Sequence, residues 1–282
     1  MLNKFIFPQD KKIFNEVWVL ALPVIVSNLS RVLMSLVDVA MVGRLGPEAL
    51  AAAGMGGMLV WGALSIMLGV RTSVQTVSSR RLGQNKTKEC IKALNNGFIM
   101  ASIYSVPVSL FCWFFGFIII PLFVIDEITT PLAISYFSIS SLGLFFNSIS
   151  FVFQGFFTGI EKTKVLLSVT ISSNIINVYF NIGLIYGKNF ISKISVDHFG
   201  EFFDISVFWF WAKFDGFGVT GAAIGTLIAS AWMMFHYYIC LNRQEIIKNN
   251  KGIINVGFDK NMLTKQVKLS VPMGVQEMMI AI

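Results

Sequence analysis

Six long apolar segments constrain the fold of this chain more than any other feature of its sequence. They lie at residues 17–42, 49–79, 94–124, 130–158, 165–186 and 218–241. About 20 apolar residues are enough for a helix to cross the hydrocarbon of a bilayer. Only 13% of the residues are charged and the mean hydropathy is +0.71, whereas soluble domains contain about 25% charged residues. The sequence therefore predicts an all-α polytopic membrane protein.

The remaining sequence divides the chain into three parts. Residues 1–242 hold the six complete spans, residues 243–268 form a polar and basic linker, and residues 269–282 begin a seventh apolar stretch. Because that stretch is too short to cross a bilayer, we expect the chain to be the first part of a longer protein. Residues 187–217 are expected to form a long outside loop whose aromatic side chains lie at the membrane interface.

The placement of the basic residues predicts the orientation of the chain in the membrane. Most lysines and arginines precede the first span or lie in the connections after the second, fourth and sixth spans. The alternate connections contain only Arg44, Lys188, Lys193 and Lys213. The positive-inside rule therefore predicts a cytoplasmic amino terminus, in an inner or plasma membrane. Although the net charge is +7, it is divided between loops, so no nucleic-acid partner is expected.

Sequence patterns of enzymes and metal sites are missing. Cys90, Cys112 and Cys240 form no CxxC pair, and only His236 lies near one of them. The sequence has no phosphate-binding glycine loop, zinc-protease helix or nucleophile elbow. We therefore expect a protein that is not an enzyme and that has no catalytic residue, cofactor or structural metal.

Asp38 is the only acidic residue inside the six complete spans. A charge at the centre of a bilayer costs about 2.5–3.5 kcal/mol on insertion scales, so such residues usually face a protein interior or a water-filled cavity. A carboxylate in that position is suited to carry a proton or a metal cation. The alternative is a structural ion pair with Arg31, seven residues earlier on nearly the same helix face.

Polar side chains follow one face of several spans. In the fifth span, Asn174, Asn177 and Asn181 recur at i, i+3 and i+7. Their amide oxygens are hard ligands suited to a small cation, for which Asp38 would supply the charge. Hydrogen bonding between helices is the alternative, at about 0.6 kcal/mol per bond. Similar stripes, predicted to line a water-accessible cavity, contain Tyr136, Ser140, Asn147, Ser150 and Gln154 in the fourth span and Ser27, Asn28 and Arg31 in the first.

Several short segments resemble one known family. They are ALPVIVSN at 21–28, VDVAMVGRLG at 37–46, PEALAA at 47–52, RLGQN at 81–85 and GVTGAAIGT at 218–226. These segments are similar to those of multidrug and toxic compound extrusion (MATE) transporters, and the resemblance extends over nearly the whole chain.

The resemblance implies a fold, an activity and a set of partners. Members have twelve spans in two six-helix lobes related by pseudo-twofold symmetry, so this chain would be the amino-terminal lobe with the start of the seventh helix. The implied activity is export of cationic or amphipathic drug-like compounds by alternating access, driven by the entry of protons or sodium ions. The implied full-length protein is a monomer in the lipid bilayer.

Carried over by motif, the resemblance also implies a cation site. Its expected ligands are Asp38, Asn177, Asn181, Thr226 and the Ala222 carbonyl. The family pattern often has a second aspartate where this chain has Asn181, so one carboxylate remains and the choice between proton and sodium stays open. Pro23 matches the proline at which the first helix of family members bends. Glu277 resembles an acid in their seventh helix.

Two other functions are weighed against export. A lipid-linked oligosaccharide flippase of the same superfamily would need several basic residues in its cavity to hold a pyrophosphate, and only Arg31 and Arg71 lie inside spans. An integral-membrane enzyme would need paired acids, a metal cluster or a nucleophile with its base. The sequence indicates none of these.

Overall fold

The computed structural model describes residues 11–199, 205–250 and 252–281. Within these ranges the regular secondary structure is entirely helical, which confirms the predicted fold class. Six of the helices are long and apolar enough to cross a membrane. The α-helices are α1 (Lys11–Gly43), α2 (Pro47–Gly83), α3 (Thr87–Ile119), α4 (Thr129–Gly159), α5 (Lys164–Phe199), α6 (Gly218–Asn242), α7 (Glu245–Asn249) and α8 (Lys260–Ala281).

Local sequence signals set several helix ends. α2 begins at Pro47, where a proline needs no partner for the missing N–H, directly after Gly46 at φ +118°. Ahead of α4, the Asp126 carboxylate accepts hydrogen bonds from the Thr129 hydroxyl (2.6 Å) and the Thr129 backbone N–H (2.7 Å). These bonds lower the pKa of Asp126 and cap the helix.

α2 lies at the centre of the bundle and packs along α4, α8 and α3. Glycines permit these close contacts. A Cβ on Gly155 of α4 would overlap the carbonyl oxygen of Arg71, and a Cβ on Gly97 of α3 would meet Val74 and Val152 at 2.6 and 2.8 Å. Small residues at such crossings let helices approach closely in a membrane.

α1 lies at the edge of the bundle, where its main neighbour is α5. Many of its large apolar side chains are exposed, as expected for a surface that meets lipid tails. The helix continues through Pro23, and the Ser27 hydroxyl donates to the Pro23 carbonyl (2.6 Å). α5 in turn packs against α6, and α6 packs against α4. α1 and α2 therefore face each other across the space between α4, α5 and α6.

Two of the predicted helices are too short, because their polar first turns were left out. α3 begins at Thr87 instead of near residue 94, because Cys90 and Ile91 are fully buried and Glu89 pairs with Arg81 (2.9 Å). α8 begins at Lys260 instead of near Leu269. Hydropathy misses such turns because their polar residues are held by contacts with the rest of the protein.

The prediction of a loop at 187–217 is wrong for residues 188–199. Residues 188–199 continue as helix beyond a break at Gly187, whose φ of +71° a side chain rarely adopts. A Cβ there would also overlap the carbonyl oxygen of Phe214. The loop residues Glu201, Phe202, Phe203 and Asp204 lie outside the described part of the chain.

The aromatic residues that follow contact α5 directly. The Trp209 indole donates to the Tyr179 carbonyl (2.7 Å), and the Trp211 indole donates to the Tyr179 hydroxyl (2.8 Å). Gly183 makes room for both rings, since a Cβ there would meet each of them at 2.7 Å. This segment is therefore packed against the bundle, in addition to exposing Phe208 and Phe210.

A polar contact attaches the segment before α8 to α3. The Asn96 side chain donates to the Asp259 carbonyl (3.1 Å) and accepts from the Asp259 N–H (3.2 Å), and Asn95 donates to the Ile253 and Gly257 carbonyls. Lys92 pairs with the Asp259 carboxylate (3.7 Å). Backbone groups of the linker are thus bound by side chains of α3.

We expect Asn96→Ala to loosen this linker. The substitution removes two hydrogen bonds from a fully buried amide and leaves both Asp259 backbone groups without these partners. Losing bonds of this kind costs about 1–3 kcal/mol. Limited proteolysis in detergent should cut the linker several-fold faster than in the wild type, whereas Thr87→Ala, at an exposed position at the start of the same helix, should leave the cutting rate unchanged. Equal rates in both variants would contradict this role of Asn96.

Candidate cation site and adjoining cavity

A cavity lies between α1, α2, α4, α5 and α6. Its two adjoining compartments measure about 390 and 150 Å³ and share a common wall. The side chains that line both are Arg31, Met34, Asp38, Trp61, Leu64, Asn147, Asn174, Thr226 and Ser230. Tyr136 lines the larger compartment, whereas Gln154 and Asn177 line the smaller one. Asn28, also predicted here, is exposed on α1 and is not among the residues lining these compartments.

Asp38 is joined to the amide strip of α5 by a chain of hydrogen bonds. Asn181 donates to the Asp38 carboxylate at 2.8 Å and also to the Asn177 side-chain oxygen at 3.1 Å. Asn177 in turn donates to the Thr226 hydroxyl at 3.5 Å. The structure therefore brings together four residues that lie far apart in the sequence on α1, α5 and α6.

Glycines of α6 allow this close approach. A Cβ on Gly225 would overlap the side-chain oxygen of Asn181, and a Cβ on Gly221 would overlap the carbonyl oxygen of Leu184. Ala222, between them, is buried. The small residues at the start of α6 thus place Thr226 beside the amides, and a larger residue at Gly225 would displace Asn181.

The remaining amides bind neighbouring helices. Asn174 donates to the carbonyl and hydroxyl of Ser30 (3.1 and 2.9 Å), and Asn147 donates to the Ser230 hydroxyl (3.0 Å). For Asn174 and Asn147, hydrogen bonding between helices is therefore observed. Sequence reasoning missed Ser230, although its position four residues after Thr226 places it on the same helix face.

Asp38, Asn177, Asn181 and Thr226 all carry side-chain oxygen atoms. The Asn181 amide presents its nitrogen to both the Asp38 carboxylate and the Asn177 side-chain oxygen, and the Asn181 oxygen is buried without a hydrogen-bond partner among the described residues. Oxygen donors of this kind suit sodium or similar cations.

The structural ion pair between Arg31 and Asp38 is not observed. Among the described residues, ion pairs join Arg81 to Glu89, Lys86 to Glu89 and Lys92 to Asp259, all near helix ends. Arg31 instead lines the cavity with no ion-pair partner in the described part of the chain. Asp38 therefore remains available to a ligand in the cavity.

Glu277, which resembles an acid in the seventh helix of family members, lies exposed on α8. It acts electrostatically on Arg71 of α2 and is not among the residues lining the compartments around Asp38. The structure therefore separates Glu277 from the amide strip.

Comparison with known proteins gives consistent matches. The sequence model of the family MatE matches residues 23–182. A probable multidrug resistance protein NorM of Photorhabdus laumondii is 29% identical over 172 residues, which cover 59% of this chain and 36% of that protein. A probable multidrug resistance protein NorM of Synechocystis is 24% identical over 217 residues, covering 77% of this chain and 41% of that protein.

Solved structures share the fold. A structure described as an outward-facing conformation of a multidrug resistance MATE family transporter has a TM-score of 0.75 at 17% identity. A MOP superfamily transporter from Pyrococcus furiosus, for which a reversed polarity of the binding pocket is described, gives the same TM-score and identity. Each match covers 93% of this chain and 52% of the solved one. The chain thus spans about half of these structures and less than half of the two sequence relatives.

Proposed function

The chain belongs to the MATE family of transporters and is a multi-pass integral membrane protein, and from that premise we propose that it takes part in the export of cationic or amphipathic compounds. Entry of a proton or a sodium ion at Asp38 drives the export. The amino terminus lies in the cytoplasm, and residues 1–242 act as one lobe of the transporter. The observation that carries this proposal is the Asp38–Asn181 hydrogen bond on the wall of a cavity.

Coupling follows from the position of Asp38 at the contact between α1 and α5. The Asp38 carboxylate belongs to α1 and its partner Asn181 to α5, so a cation bound between them changes the contact of the two helices. An ion and a substrate can drive each other only if each favours a different conformation. The bound cation favours one packing of α1 on α5, and the substrate in the adjoining compartment favours the other.

Transport in everted membrane vesicles tests this proposal. A fluorescent cationic dye should accumulate in vesicles that contain the protein when an inward-acidic proton gradient or a sodium gradient is imposed. Collapsing the gradient with an ionophore should abolish accumulation. Dye accumulation that continues after both gradients have collapsed would contradict ion-coupled transport.

We expect Asn181→Asp to strengthen cation binding. The substitution places a second carboxylate at hydrogen-bond distance from Asp38, where the wild type has a neutral amide. Two adjacent carboxylates attract a shared cation more strongly than one. Isothermal titration of the purified protein with sodium chloride should show an affinity at least several-fold higher than that of the wild type.

The matched control is Asn174→Asp, two strip positions away from Asn181, where the amide binds Ser30 instead of Asp38. Sodium affinity in this control should change little. An equal gain in both variants would indicate a general effect of charge in the cavity and would contradict a specific site at Asp38.

A further inference from the structure

Arg31 is a cationic group on the wall of the proposed substrate cavity. It lines both compartments and is partly exposed to them. Within the described ranges its guanidinium group has no hydrogen bond or ion pair, and Asp38, on the same wall, is bound to Asn181 instead. A guanidinium in the interior of a membrane protein normally has a partner, because an uncompensated charge there is costly.

A second arginine adds to the positive potential at this end of the cavity. Arg71 of α2 interacts electrostatically with Arg31, and both act on Tyr237 of α6. Tyr237 is fully buried and its hydroxyl has no hydrogen-bond partner among the described residues. Neither Arg71 nor Tyr237 is among the residues that line the two compartments, so both act on Arg31 from behind the cavity wall.

Of the two arginines, only Arg71 is acted on by a carboxylate among the described residues. Glu277 of α8 acts electrostatically on Arg71, but the two form no ion pair within the described residues. No carboxylate of the described residues is among the groups that act on Arg31. Arg31 therefore keeps its charge available toward the cavity, while Arg71 raises the potential behind it.

We propose that Arg31, supported by Arg71 and Tyr237, binds an oxyanion group carried by the exported compound, either a carboxylate or a phosphate. The planar guanidinium offers two parallel N–H donors that match the oxygens of either group. The inference rests on the proposed export function and specifies its substrate class: the cargo is an amphipathic molecule with a negatively charged group, zwitterionic or anionic.

The neighbouring side chains fit the rest of such a molecule. Apolar groups of Met34, Trp61, Leu64 and Phe151 line the same walls and would contact an apolar body. Asp38 lies two helical turns from Arg31 along α1, so the coupling cation and the anionic group have different partners on the cavity wall.

A pair of dyes that differ only in their charge tests this site. The probes are a rhodamine with a free carboxylate and the methyl ester of the same dye, each titrated against the purified full chain in detergent by fluorescence polarisation. The wild type should bind the acid at least as tightly as the ester. Arg31→Gln should weaken binding of the acid about tenfold, the effect of losing about 1.4 kcal/mol, and should change ester binding less than twofold.

Matched variants keep the test specific. Arg80→Gln removes an exposed arginine at the end of α2 and should bind both dyes like the wild type. Arg31→Lys retains the charge without the planar fork and should restore part of the affinity for the acid. Melting temperatures of all variants, measured in the same detergent, show whether Arg31→Gln remains folded; if it does not, the comparison of Arg31→Lys with the wild type carries the test.

Competition separates two sources of the oxyanion. A monoacyl glycerol phosphate should displace the acid dye, whereas inorganic phosphate at the same concentration should not, because it lacks an apolar body. Equal displacement by both would overturn the amphipathic part of the proposal.

The outcomes also separate this inference from the proposed export function. Tighter binding of the ester by the wild type, or equal losses for both dyes in Arg31→Gln, would overturn the oxyanion site alone, since ion-driven export of the ester could still be measured in vesicles. Failure of the wild type to bind either dye would overturn both.

Discussion

Replacing Asp38 by asparagine is expected to reduce ion-driven dye export to the level of vesicles without the protein, a loss of more than tenfold. The substitution keeps the size of the side chain and its capacity to accept a hydrogen bond from Asn181. It removes the only carboxylate inside the six spans, and with it the group that binds either a proton or the charge of a sodium ion. The measurement is dye accumulation in everted vesicles under an imposed ion gradient.

Two further variants show whether the loss is specific. Asp126→Asn neutralises an exposed acid between α3 and α4, where an asparagine can still cap the helix, and should leave export unchanged. Asp38→Glu keeps the charge and should retain part of the activity. Wild-type export by Asp38→Asn, at equal protein levels, would rule out the coupling role of this residue.

The fold was predictable from the sequence because the bilayer limits the choice of structure. A run of about 20 apolar residues has to be a helix, since every backbone polar group must be bonded within the segment. All six spans follow from that rule. The rule does not predict the polar helical turns at 87–93 and 260–268. These turns are held by tertiary contacts, since Glu89 pairs with Arg81 and Asp259 is hydrogen-bonded to Asn96.

The residues of the candidate site were predictable where helix periodicity alone determines which side chains share a face. The spacing of Asn177 and Asn181 places both on one face, and the motif match connected them with Asp38 and Thr226; the structure brings all four together. Their role as cation ligands stays a prediction. Periodicity could not show that Asn174 is bound to Ser30, because that bond depends on how α1 is placed against α5.

The predicted fifth span does end at residue 186, but the need for glycine at position 187 and the position of Arg71 were outside the reach of sequence reasoning for a similar reason. Gly187 gives no local signal that distinguishes it from the other glycines of the chain until its contact with the Phe214 backbone is known. Arg71 is a lone basic residue in a span until α1 and α6 bring Arg31 and Tyr237 near it. The roles of both residues therefore depend on tertiary contacts, which the sequence pattern does not show.

Gly155→Ala is expected to lower the stability of the bundle. The new Cβ would overlap the carbonyl oxygen of Arg71 and would lie 3.1 and 3.3 Å from the Arg71 carbonyl carbon and Cα. Backbone atoms cannot change rotamer, so α4 and α2 must separate, and they form the most extensive helix contact in the bundle. Overpacking of this kind costs about 1–3 kcal/mol. Thermal unfolding in detergent, followed by the loss of the monodisperse peak on size-exclusion chromatography, should show a melting temperature lower by several degrees.

The control is Gly54→Ala, also inside a long helix, where a Cβ meets no atom within 4 Å. Alanine is favoured over glycine in helices by about 1 kcal/mol, so this variant should melt at the wild-type temperature or above it. Because both variants add one methyl group to a helix, the difference between them isolates the contact with Arg71. A melting temperature for Gly155→Ala equal to that of Gly54→Ala would mean that α2 and α4 are not packed as closely as the structure places them. The cavity bounded by these helices, and the sites proposed on its walls, would then have a different shape.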